Sequence, residues 1–308
     1  MSSLPHPRAT APLGRVLLGA ALGHLLALGL TCAVFVRTYP GQWLDGLLLP
    51  RAERGGGYEQ QTDLVGPSKT VLAVFGSPVL LAVLLGAVVL VGLLNRRLLA
   101  GVVGVGMVLS AVVVAGAMKS ALSRPEFPIE SSTTHNSFPS GHVAVATALL
   151  LAFMLVLPRW GRRWLAVPGG MAVSVIAAAT MIAGWHRFSD ALGGVLVGVV
   201  LFCLAAAGLG GWRRDSDRID GTVADSGTVW RRLTEGVVGL VVLVWALLVV
   251  GPGLVASVQR GTLVAVVAAA GLTMLSVVSV VFLVRSADFV GPLRRQEPRT
   301  STKSESNS

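Results

Sequence analysis

Long apolar runs separated by short polar stretches set the pattern of this chain. The runs lie near 15–37, 70–94, 98–118, 141–158, 165–184, 190–210, 234–256 and 262–284. A helix needs roughly 20 apolar residues to cross the hydrocarbon core of a bilayer. The pattern therefore predicts an all-α fold, a polytopic transmembrane helical bundle of about eight spans. The fourth run is short and depends on its flanks. The first is longer than the core of a signal peptide and lacks a clear small-residue cleavage site, so it reads as a retained span.

Composition strengthens this reading. Hydrophobic residues make up 53% of the 308 positions and charged residues only 13%, against about 25% charged in a soluble domain. Mean hydropathy is +0.74. The net charge of +10 raises the question of nucleic acid. The basic residues sit in short clusters between apolar runs, without aromatic interleaving, which suits membrane topology and anionic headgroups instead. With a cytoplasmic N-terminus, 17 of the 25 Lys and Arg residues fall inside, among them Arg96, Arg97, Arg162, Arg163, Arg213 and Arg214. That asymmetry sets the expected orientation, with both termini cytoplasmic. Cys32 and Cys203 both fall in apolar runs and read as buried thiols.

The expected organisation is a disordered cytoplasmic tail over 1–12 and a membrane domain over 13–210. A cytoplasmic loop follows over 211–233, then two additional spans over 234–285 and a disordered cytoplasmic tail over 286–308. The outer loop 38–69, with Pro40, Arg54-Gly55-Gly56-Gly57 and Gly66-Pro67, reads as short irregular or interfacial structure. His24 reads as a helix-packing or interfacial residue. Trp43, Trp160, Trp164, Trp185 and Trp212 fall near interfaces, where a belt role suffices.

Three polar islands interrupt the apolar pattern, and the expected topology puts all three at the outer face. Lys119-Ser120-Ala121-Leu122-Ser123-Arg124-Pro125 closes the third span. Ser137-Phe138-Pro139-Ser140-Gly141-His142 opens the fourth. His186-Arg187-Phe188-Ser189-Asp190 lies between the fifth and sixth. Ionisable residues converging at span ends mark a candidate site. Lys119 and Arg124 offer positive charge to phosphoryl oxygens. Ser140-Gly141-His142 sits where a helix begins, so its backbone N–H groups and dipole can hold an anion. Asp190 follows His186 by four residues, which on a helix puts both on one face. The carboxylate can then fix the ring tautomer and leave the other nitrogen free to attack. Two histidines, a carboxylate and two cations around an anion pocket suit phosphoryl transfer. The outer segments lack the acidic clusters that hold magnesium, so neither a metal nor another cofactor is expected.

These islands resemble the signature of the type 2 phosphatidic acid phosphatases, which are related to the vanadium haloperoxidases. That signature runs Lys-x6-Arg-Pro, Pro-Ser-Gly-His, then (Ser/Gly)-Arg-x5-His-x3-Asp. The resemblance covers roughly 119–190, with the adjoining spans 70–210 compatible. It implies a six-helix phosphatase core plus the two C-terminal spans. It implies that His186 is the nucleophile, Asp190 its orienting partner and His142 the general acid. Lys119, Ser140 and Gly141 would bind phosphate, with Arg124 beside them. Arg187 and His135 are accessory candidates. Two positions depart from the signature: Glu126-Phe127 stand where Arg-Pro is expected, and Thr180 stands where an Arg is expected. Arg-Pro occurs instead as Arg124-Pro125, and Arg124 can serve only if the helix ends before it.

The function expected from the resemblance is hydrolysis of a lipid phosphate or diphosphate, of polyprenyl or phosphatidate type, through a phosphohistidine at the outer face of the cell membrane. A lipid phosphotransferase with an alcohol in place of water would use the same intermediate. A lipid-phosphate binding or transport protein on the same fold is the non-enzymatic alternative, motivated by Thr180. The partner expected is the lipid substrate, with no nucleic acid. Outer-face placement suits the recycling of a carrier lipid in a cell envelope.

Overall fold

In the computed structural model, the structure describes residues 13–47, 64–129 and 136–211, together with positions 267 and 271. The described residues form helices and connecting segments, without a strand. They are α1 (Leu13–Thr31), which passes into a π-helical segment (Cys32–Val36), then α2 (Tyr39–Leu47), α3 (Val65–Phe75), α4 (Pro78–Leu94), α5 (Leu98–Ala121), α6 (Gly141–Val156), α7 (Arg159–Ile182) and α8 (Phe188–Gly211). Among the described residues, four helices are long and apolar enough to span a bilayer, five if α3 and α4 count as one bent span. Helices of that length and number mark a multi-pass membrane protein. A count of eight spans goes beyond this, because α6 is shorter than a span and nearly all of the two C-terminal runs lies outside the described residues.

Buried α6 forms the centre, packed between α5, α7 and α8, and α1 packs along α8. Small residues let these helices approach closely. A Cβ on Gly104 of α5 would meet the Ala152 Cβ of α6 at 3.1 Å, and one on Gly198 of α8 would meet the Thr147 side chain at 2.7 Å. The fourth run is indeed short, a helix of 16 residues. Its C-terminal end is closed by arginines from both neighbours. Arg97 Nη1 donates to the Leu157 carbonyl at 2.8 Å and Arg162 Nε donates to the same oxygen at 3.0 Å. Cations are favourable at a helix C-terminus, where carbonyls lack helical partners.

The run 70–94 is not one straight helix. It is broken into α3 and α4, which bend by 55°. The cause is the sequence Gly76-Ser77-Pro78. Pro78 opens α4 at a position where its missing N–H costs nothing, and Ser77 before it is extended, with ψ 125°. Within the 38–69 loop, α2 is helical and docks onto the chain that follows α5. Gln42 Nε2 donates to the Val36 and Pro125 carbonyls, both at 2.9 Å. Tyr39 meets Phe127 edge-on, with ring centroids 5.9 Å apart. Trp43 and Trp185 are exposed towards this end, and Trp160 and Trp164 towards the other. His24 Nδ1 lies 2.7 Å from the Ala20 carbonyl, one turn back in its own helix, consistent with a helix-packing residue.

Candidate active site

The site is built from helix ends. α5 stops at Ala121, and Leu122 is already extended with ψ 114°. The chain therefore leaves the helical path before Arg124 and turns its side chain inward, where it is buried. The Arg124 guanidinium lies between two carboxylates, 3.7 Å from Asp45 Oδ2 and 4.0 Å from Asp190 Oδ1. Lys119 remains on the last turn of α5. A Cβ on Gly141 would come within 3.9 Å of its Nζ, so the lysine reaches the start of α6.

The segment Ser137–Ser140 lies against the first turns of α8, entering α6 through a cis Phe138–Pro139 bond. Two glycines make this approach feasible. A Cβ on Gly193 would collide with the Phe138 ring, and one on Gly194 would stand 2.7 Å from the Ser140 carbonyl oxygen. The Ser140 backbone N–H donates to the Asp190 carbonyl at 2.8 Å, which ties the α6 N-terminus to α8. Asn136 closes the turn: its Oδ1 accepts from the Phe138 N–H at 3.1 Å.

His186 precedes α8 instead of sharing a helical face with Asp190. α8 begins at Phe188, because Asp190 caps it from the third position: Oδ2 accepts the Arg187 N–H at 2.8 Å, one half of a capping box. The i,i+4 spacing still brings the pair together, with His186 Nδ1 3.5 Å from Asp190 Oδ2. That is an ion-pair distance, too long for a well-formed hydrogen bond. The Ser137 hydroxyl donates to the same oxygen at 2.6 Å. His186 is held from behind as well, since its N–H and that of Trp185 both donate to the Thr180 carbonyl, at 3.1 and 3.0 Å. Thr180 itself is buried, its hydroxyl turned back to the Ala177 carbonyl at 2.7 Å. His142 lies on the first turn of α6, near Phe75 and Trp185, with ring centroids 6.4 and 5.8 Å away. The α3–α4 break serves this packing: a Cβ on Gly76 would stand 3.2 Å from His142 Nε2.

Asp45 is the participant that the sequence did not signal. This fully buried carboxylate on α2 caps α8 from outside the motifs. Its Oδ1 accepts the Ser189 N–H at 3.0 Å and its Oδ2 accepts the Ser189 hydroxyl, while Arg124 stands beside it. Burial and the neighbouring Asp190 raise its pKa to about 6, against the pull of Ser189 and Arg124. The only advance signal was one acid, flanked by apolar residues, in a loop helix.

Lys119, Arg124, Ser140, Gly141, His142, His186 and Asp190 thus lie around one end of α5, α6 and α8. Arg187 is buried beside them. His135 lies outside the described residues. No group of three or more His, Cys, Asp or Glu side chains among the described residues could hold a metal ion. No curated protein and no solved structure matches the chain. Residues 99–214 match the family model of the PAP2 superfamily. That stretch carries all three polar islands together with α5, α6, α7 and α8, and over it the chain is similar to the PAP2 superfamily.

Proposed function

We propose that this protein is a membrane lipid phosphatase that works through a phosphohistidine. The observation that carries the proposal is His186, its Nδ1 turned to Asp190 at 3.5 Å, at the same helix ends as Lys119, Gly141 and His142. With Nδ1 turned to the carboxylate, Nε2 is the attacking atom. It forms a bond to phosphorus as the bond to the leaving oxygen breaks. His142 donates a proton to that oxygen. Lys119 and the N-terminus of α6 stabilise the charge on the phosphoryl oxygens, and Arg124 adds to the positive field. The Ser140 hydroxyl is buried with no hydrogen-bond partner among the described residues, and a phosphoryl oxygen would supply one. In the second half, water attacks phosphorus, His142 takes its proton, and His186 leaves unchanged.

A lipid substrate follows from placing this chemistry at the ends of apolar spans. A phosphate on a lipid headgroup reaches that level while its chains stay in the bilayer. One observation favours a binding-only reading: Thr180, where the resemblance expects an Arg, is buried and bonded within its own helix.

One assay decides between the two. Purified protein is given phosphatidates and polyprenyl phosphates and diphosphates, with chelator present, alongside His186→Ala. Chelator-resistant phosphate release that disappears in the variant is the expected result. Tight lipid-phosphate binding by a folded wild type without release would overturn the enzymatic reading.

A further inference from the structure

A second feature lies along α1, on the side of Arg37 and Ser123. α1 and α5 both pack on α8, and between them lies a cavity of about 700 Å³, within the size range of small-molecule sites. Its walls are apolar: Leu25 and Gly29 from α1, Cys32 from the π-helical segment that follows it, Val114 and Met118 from α5, and Val197 from α8. Leu25 is half exposed, so the α1 wall opens sideways towards the bilayer. The one charged lining residue, Arg37, stands at the upper end. Its Nη1 donates to the carbonyl and hydroxyl of Ser123, at 3.0 and 2.9 Å, next to Arg124. Both Arg37 and Arg124 lie close enough to Cys32 for their charges to act on it.

We propose that this groove receives a hydrocarbon chain of the lipid phosphate, with Arg37 at its mouth beside the headgroup. The inference rests on the proposed lipid phosphatase reading and adds where the chain lies. Two arguments select a lipid as the occupant. The length from Leu25 to Arg37 is roughly 18 Å of helix, close to the half-thickness of a hydrocarbon core about 30 Å across. The polarity also matches: apolar walls below, cations above, as a lipid with an anionic headgroup requires. The floor leads to the chemistry, since Val197 lies two turns along α8 from Asp190, on the same helical face.

Gly29 offers a direct test, because a Cβ placed there meets nothing within 4 Å, so a large side chain is accommodated in the groove. Gly86 on α4 has the same open surroundings and serves as control. Full-length wild type, Gly29→Phe and Gly86→Phe are assayed on dioleoyl phosphatidate and on soluble glycerol 3-phosphate. Gly29→Phe is expected to raise KM for dioleoyl phosphatidate about tenfold, with glycerol 3-phosphate turnover and the control unchanged. An unchanged KM for dioleoyl phosphatidate in Gly29→Phe overturns the groove. Absence of turnover by wild type overturns the enzymatic reading instead, and labelling then reads the groove by itself. A photoactivatable phosphatidate with its reactive group on the chain is expected to mark α1 between Leu25 and Ala33. Unlabelled dioleoyl phosphatidate should compete with it, and Gly29→Phe should lose the mark. Label elsewhere, or equal competition by dioleoyl phosphatidylcholine, overturns the inference.

Discussion

The chemistry depends on how a few buried charges hold one another. Asp190 Oδ2 serves three groups at once, the His186 ring, the Ser137 hydroxyl and the Arg187 N–H, while Arg124 faces Oδ1. Asp45 repeats the arrangement for Ser189 and Arg124. Hydrogen bonds to charged groups contribute about 1.5–3 kcal/mol each. Asp45→Asn, which keeps the shape but removes the charge, is therefore expected to lower kcat roughly 10- to 100-fold, measured as phosphate release. His142→Ala should lower it about 10²–10⁴-fold, the usual contribution of a general acid. Asp45 also predicts a pH dependence. Its folded pKa of about 6 lies above the ordinary 3.8, so its contribution to stability is fully present below about pH 4 and is lost as pH rises through 6. The loss is of order 3 kcal/mol at most. The Tm difference between wild type and Asp45→Asn should fall between pH 4 and 7, and a flat difference would show that Asp45 ionises as easily folded as unfolded.

Among the elements, α8 and the α3–α4 pair decide the site's shape. The polar islands were legible because each combines residues that are costly at a span end, and a spacing of four brings His186 to Asp190 across a helix start as well as along a helix. The break at Gly76-Ser77-Pro78 was hidden by hydropathy. A running apolar average counts side chains and ignores the backbone, whereas Pro78 acts through its missing N–H and its fixed φ. The contact of α8 with Ser140 rests on Gly194, where a Cβ would stand 2.7 Å from a carbonyl oxygen. Backbone cannot yield as a side chain can. Gly194→Leu should therefore push α6 and α8 apart, with a lower Tm and loss of phosphate release together. A variant with wild-type Tm and activity would contradict the packing described here.

Across the whole molecule, the two ends of the bundle carry different charge chemistry. Arg97 and Arg162 close one end of α6, while Lys119, Arg124 and the histidines gather at the other. The positive-inside rule predicts that the Arg97 end, on the side richer in basic residues, faces inward. In a variant with Cys32 and Cys203 replaced by Ala, a cysteine at Ser123 should react with an impermeant maleimide in intact cells. One at Asn95 should react only after lysis. The opposite pattern would place the site at the cytoplasmic face.

By itself, the sequence determined the class of the protein and which residues are candidates for its chemistry. Long apolar runs have no stable home outside a bilayer, and a Lys, a Pro-Ser-Gly-His and a His-x3-Asp at span ends are expensive unless used. Tertiary structure alone decided three things: that Asp45, far from the motifs in sequence, stands beside Arg124, that the second span breaks next to His142, and that an apolar groove runs up to the cations. Each depends on which helix faces which. That is set by the close fit of small residues such as Gly104, Gly194 and Gly198 against particular neighbours, a property of pairs of surfaces that no single stretch of sequence carries.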